Sequence, residues 1–182
     1  MILKAVALLA GLAVWMPASD ESPLFSKIYE RDLATLESEF VSLVEAMPAE
    51  KFEFVPSNGE FSKSRTFAQQ ATHVATVLYE VSAGIRDEKV PVNTGVNENG
   101  APNLNSKDEI VKYVKDAFAY AHKAMAGITD ENIRAMVKSP FESGKSIPRI
   151  YLANVAIWHS YDHYGQMVIY LRMNGIVPPA SR

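Results

Sequence analysis

Four long stretches of this sequence carry apolar side chains at the three- and four-residue spacing of a helix. Such stripes must leave water, and in a chain of 182 residues four of them can bury one another. The first stretch opens at Ser22-Pro23, a cap followed by Pro at the first helical position, and carries Phe25, Ile28, Leu36, Phe40, Leu43, Val44 and Met47 before Pro48 ends it. The second runs from Thr66 to Arg86, with Phe67, Val74, Val77, Leu78, Val81 and Ile85 on one face. The third opens on the capping box Ser106-Lys-Asp-Glu109, continues through Ile110, Val111, Val114, Phe118, Ala121 and Met125, and closes at Gly127. The fourth starts at Ser146 with Pro148 in its first turn and continues to Met173. Asn174-Gly175 then supplies a left-handed cap, and Pro178-Pro179 prevents resumption.

The connections differ in kind. "KFEFVPSNGEFSKS" (51–64) contains the turn signal Asn58-Gly59 and, in "KFEFV", the one weak strand signal. Residues 87–105 are polar and rich in Pro, Gly and Asn, a long surface loop of the kind that carries binding elements and lids. "ITDENIRAMV" adds one short helical turn before the loop "SPFESGKS". No internal repeat is visible. The expected architecture is all-α, a four-helix bundle over residues 19–182.

Residues 1–18, "MILKAVALLAGLAVWMPA", fall outside that scheme. One early positive charge, Lys4, precedes an apolar run that is too short to cross a bilayer, and Pro17-Ala18 then leads into polar sequence. This is the pattern of a secretory signal peptide cleaved after Ala18. The expected product is periplasmic or secreted, without a stable membrane anchor once the leader is gone. Cleavage removes one positive charge and no negative one, taking the net charge from −3 to −4. With no clustered Lys or Arg, that balance excludes nucleic acid as a partner. The chain has no cysteine, so disulfides, thiolate metal sites and nucleophilic thiols are excluded together. Any site must come from histidines, carboxylates and hydroxyls.

Two of the four histidines, His159 and His163, stand one turn apart in "HSYDHYGQ" (159–166). Counting by helical steps from His159 puts Asp162, His163, Gln166 and Tyr170 on one face, continuous with Leu152, Val155 and Ala156 upstream. Imidazoles at i and i+4 can converge on one metal ion. His73, beside Val74 and Val77 in the second stretch, is the candidate third ligand. Three protein ligands leave coordination positions free for water or substrate, as in a catalytic or substrate-binding site. Ser160 occupies the place where a zinc-protease helix needs its Glu, so the pair is not of that type. Asp162, Gln166 and Tyr161 are candidates to orient the imidazoles or accept a proton. Glu80, two turns after His73, could approach the same side but reads first as a solvated helix charge, and His122 reads as a boundary residue outside the site. Gly165 weakens a helix, which suggests a close-packing reason for it.

The stretch "HSYDHYGQMVIYLRMNGIVPP" resembles the closing signature of DinB-like (DinB/YfiT) proteins: His, three residues, His, one residue, Gly-Gln, then an apolar helix ending in Gly and Pro. "FVPSNGEFSKSRTFAQQATHV" resembles their other signature, a turn leading into a helix with one His. The likeness covers about residues 22–179. It implies a four-helix bundle with a divalent metal, zinc, nickel or similar, held by three histidines, which fall here on His73, His159 and His163. It also implies a homodimer, and chemistry ranging from thiol-dependent transfer and isomerisation to none assigned. The better understood members are cytoplasmic and draw on cytoplasmic thiols, so an exported chain sits poorly with thiol transfer. Two functions follow as expectations: a metal-dependent hydrolase or transferase acting on a small molecule, or a non-catalytic metal- or ligand-binding module of the periplasm.

Overall fold

A computed structural model of the protein describes residues 23–56 and 64–182. The leader and the Asn58-Gly59 turn lie outside the described residues. Four helices dominate: α1 (Leu24–Ala46), α2 (Phe67–Arg86), α3 (Lys107–Ala126) and α4 (Arg149–Met173). Among the described residues, no helix is long and apolar enough to cross a membrane. Both α2 and α3 begin with complete capping boxes, Thr66 with Gln69 and Ser106 with Glu109, so two orphan backbone donors are satisfied at each start.

α1 packs against α3 and α4, and α2 packs against the same two. Contacts along their lengths set the directions. Lys107 Nζ donates to the carbonyls of Glu45 and Met47, and His122 bonds Glu30 and Glu37, so α1 and α3 are antiparallel. Arg149 reaches the Ile85 carbonyl while Gln70 meets Gln166, so α2 and α4 are antiparallel. Thr76 pairs with Tyr113 and Arg86 with the Lys123 carbonyl, so α2 and α3 run the same way. Two parallel neighbours in sequence need a return connection. That is the physical reason for the long 87–106 loop: it carries the chain back along α2.

The loop also accounts for the burial of α2. That helix is covered by α3, α4 and the returning chain, and sixteen of its residues, Gln70, Thr72, Thr76 and Ser82 among them, are buried. The core is continuous, with Phe40 of α1 and Phe118 of α3 in tilted contact at 5.9 Å between ring centroids. In α1, Leu33 and Tyr29 face this core, whereas Ile28, placed on the stripe by spacing, is exposed.

Two local expectations need correction. "KFEFV" is not a strand. Ala49–Lys51 form a 3-10 turn, and the carbonyls of Phe52 and Phe54 accept from the backbone N–H groups of Ala68 and Phe67, capping the free donors at the start of α2. The fourth helix does not start at Ser146. Ser146–Pro148 form strand β2, paired antiparallel with β1 (Met136–Lys138), Val137 opposite Ile147, and the helix begins at Arg149. Pro148 suits a helix start and a strand end equally well. The long-range pairing with β1 decides. The single turn expected in "ITDENIRAMV" is present, closed by Ile133 N–H donating to the Thr129 carbonyl.

Candidate metal centre

The antiparallel packing of α2 on α4 brings His73 against His159 and His163. Ring centroids lie 5.1 Å apart for His73–His159, 4.8 Å for His73–His163 and 4.5 Å for His159–His163. One ring nitrogen from each lies within 4.8 Å of the others. Burial is the largest influence on all three, and it opposes the charged form. It lowers His73, and with its neighbouring histidines it lowers His159 to about 3 and His163 to about 4. Near neutral pH these are three uncharged imidazoles, the form in which histidine binds metal.

Hydrogen bonds set the tautomers. His73 Nδ1 donates to the backbone carbonyl of Glu98 at 3.1 Å, and His163 Nδ1 donates to Gln70 Oε1 at 2.5 Å. Because both acceptors are oxygens, each ring keeps its lone pair on Nε2. Gln70 Nε2 donates to Gln166 Oε1, and Gln166 Nε2 donates to Asp162 Oδ2. Asp162 and Gln166 are thus linked to His163 through Gln70, and not by touching a ring. The remaining imidazole, His159, has a buried Nδ1 with no protein partner. Polarised donors on two rings and an unpaired buried nitrogen on the third fit a metal-ligand set. The three histidines could hold a metal ion.

Gln70 and Glu98 are the site residues that spacing along the sequence misses. Gln70 is three residues before His73, on the same helical face, which is a usable signal. Glu98 carries none: its carbonyl reaches His73 only because the return loop passes that point of α2. The loop is bent to do so. Asn97 and Glu98 have φ of 55° and 57°, flanked by Gly95 at 69° and Gly100 at 82°. A left-handed residue other than Gly costs roughly 1–2 kcal/mol, and Arg65 offsets it by donating to the Asn97 carbonyl and to Asn99 Oδ1.

Tyr161 faces α1, lining a cavity with Ile28 and Asp32, and is not beside the histidines. His122 stands apart from the cluster, half-buried between Glu30 and Glu37. Glu80 is not a solvated charge: its Oε2 is buried without a partner, and burial together with the Glu98 charge raises its carboxyl to about 7. Gly165 has no packing role, since a Cβ there would meet nothing within 4 Å. A cavity of about 450 Å³ opens beside His73 and His159, walled by α2, α4 and the 136–148 hairpin.

No curated protein matches the chain. A solved DinB-like protein from Bacillus cereus ATCC 10987 is similar, with a TM-score of 0.66 over 84% of this chain and 95% of that one. At 16% sequence identity, that likeness concerns the fold alone. The bundle, the His-x-x-x-His helix and the partner histidine on α2 agree with the sequence comparison: the model of the DinB superfamily matches residues 32–167, and the chain belongs to that superfamily.

Proposed function

We propose that the protein holds one divalent metal ion through His73, His159 and His163 and acts on a small molecule beside it, as an exported metal-dependent hydrolase or transferase. The observation that supports this best is the convergence of three neutral imidazoles, two of them already oriented by acceptor oxygens. A bound ion of the zinc or nickel kind supplies Lewis acidity, with positions left over for a substrate atom. The chain's own groups do the rest. Glu98 and Gln70 fix the rings, and the Gln70–Gln166–Asp162 chain holds the His163 tautomer from the surface. Glu80 is the one described carboxyl raised to about 7, the range a proton-transfer group needs. It lines a second cavity that shares Ser139 with the cavity over the histidines.

Elemental analysis of purified protein tests the reading, with close to one equivalent of zinc, nickel or a similar metal expected. His159→Ala and His163→Ala should lose it. Protein that carries no metal, and whose melting temperature ignores added divalent ions, overturns the proposal. The predominantly apolar cavity wall also suits a binding module without catalysis. Turnover on ester, amide and thiol-conjugation substrates, abolished by His73→Ala with the fold intact, separates the enzyme from the module. A mature N-terminus near Ser19 in the mass spectrum of exported protein tests the leader, and an intact Met1 in a cytosolic fraction refutes it.

A further inference from the structure

The cavity beside His73 and His159 collects three of the molecule's exposed aromatic side chains. Tyr151 and Trp158 stand seven residues apart on one face of α4, with the buried Val155 between them, and are 48% and 53% exposed. Phe141, 44% exposed, comes from the turn of the 136–148 hairpin, and Val77 and Ile147 complete an apolar wall. Two elements, α4 and the hairpin before it, thus leave three aromatic rings half in water around one opening. Scattered exposed apolar residues mean little, but a contiguous group around a concave site marks a binding surface. Among the described residues, no Lys or Arg lines the cavity. Its carboxylates are Glu98, beside His73, and Glu142, which is paired with Lys145.

From this arrangement we infer that the site selects small molecules carrying an uncharged aromatic or similarly sized apolar group, which lies against Trp158, Tyr151 and Phe141 while a donor atom faces the histidines. The inference rests on the metal-binding reading and adds the chemical class of what is bound. An anionic group in place of the apolar one finds no cation among the described wall residues and meets the Glu98 carboxylate instead. Aromatic stacking on Trp and Tyr is favourable with few rotatable bonds to freeze, so the apolar group adds affinity beyond that of the donor atom.

The test compares imidazole with 4-phenylimidazole, which share a neutral donor and differ by the ring the cavity should accept. Zinc-loaded full-length protein is titrated with each by calorimetry, with zinc content measured on the same sample and tryptophan fluorescence followed in parallel. The phenyl group should tighten binding at least tenfold and perturb the Trp158 emission. In the double variant Trp158→Ala/Tyr151→Ala, both positions being half-exposed, the gain should fall below threefold with zinc content and imidazole affinity unchanged. Ile169→Ala, at an exposed apolar residue of α4 that does not line the cavity, should keep the full gain. Equal affinity for the two probes on protein that holds zinc overturns the inference and leaves the metal reading standing. A phenyl gain that survives the double variant also overturns it. A sample that binds neither zinc nor nickel, with a melting temperature that ignores added divalent ions, refutes the metal reading on which the inference depends. If the aromatic group instead joins two copies of the chain, sedimentation will show a dimer that the double variant abolishes, without phenyl preference, and the inference fails.

Discussion

Glu80→Gln exchanges a carboxyl for an amide of nearly the same shape at a half-buried place on α2. Burial first, then the charge of Glu98, raises this carboxyl from an ordinary 4.5 to about 7. The unfolded chain keeps the ordinary value, so the folded protein binds the proton more tightly. The Glu80 contribution to stability is therefore greatest below about pH 4.5 and is lost as the pH rises through about 7. At about 1.36 kcal/mol per unit, the whole swing is about 3 kcal/mol. Partial solvent access and relaxation reduce the measurable part to about 1–2 kcal/mol between pH 5 and pH 8. Urea unfolding of metal-free wild type and variant at the two pH values measures it as a difference of differences, in which the other titrating groups cancel. The variant should gain 1–2 kcal/mol on the wild type, to that order, on going from pH 5 to pH 8. An equal difference at both values, or a carbon-13 titration placing Glu80 near 4.5, would refute the reasoning.

His122 also loses stabilisation as the pH rises, but because the fold favours its charged form rather than a neutral one. Both ring nitrogens contact carboxylate oxygens, Glu30 at 2.8 Å and Glu37 at 3.0 Å, so both must donate and the ring is an imidazolium. Burial lowers its pKa, but the two carboxylates outweigh that and the net shift is upward. The stabilisation is full below the unfolded value of about 6.5 and is lost as pH rises through the raised one. Proton NMR of the His122 ring should show the late titration, and His122→Gln should cost about 0.5–1 kcal/mol more at pH 6 than at pH 9. Gly165→Ala should stabilise by about 0.5–1 kcal/mol in thermal or urea unfolding, since the position is helical and open. Gly95→Ala should destabilise by at least about 2 kcal/mol, because its Cβ would lie 1.9 Å from the Gly100 carbonyl oxygen. The His73 ring resonance should shift with it, as the loop loses its hold on Nδ1.

How much of this was legible in the residues follows from the range of the forces involved. Capping boxes at Thr66 and Ser106, the Gly127 stop and the apolar stripes act over one or two turns, so the order of helices is written locally. The His159–His163 pair is local too, being one turn of one helix. Its junction with His73 is inferable because a polar residue beside Val74 and Val77 on a buried helix needs a reason. The start of α4 is not legible locally because Ser146–Pro148 answers to a strand partner ten residues earlier, a contact no local pattern reports. The burial of Glu80 is illegible for the same reason. A helix charge looks solvated until the fold shows what covers it.

The residues alone determine that four helices form, where α2 and α3 begin, and which three imidazoles are available. Periodicity and capping are short-range, and burial of the stripes then demands a bundle. Tertiary packing decides that α2 and α3 run parallel, so the return loop must pass along α2 and bring the Glu98 carbonyl to His73. It likewise decides that Gln70 meets His163 and that three aromatic rings from α4 and the hairpin surround one opening. These outcomes depend on how helix faces fit together in three dimensions, a property of the whole molecule and not of any one segment.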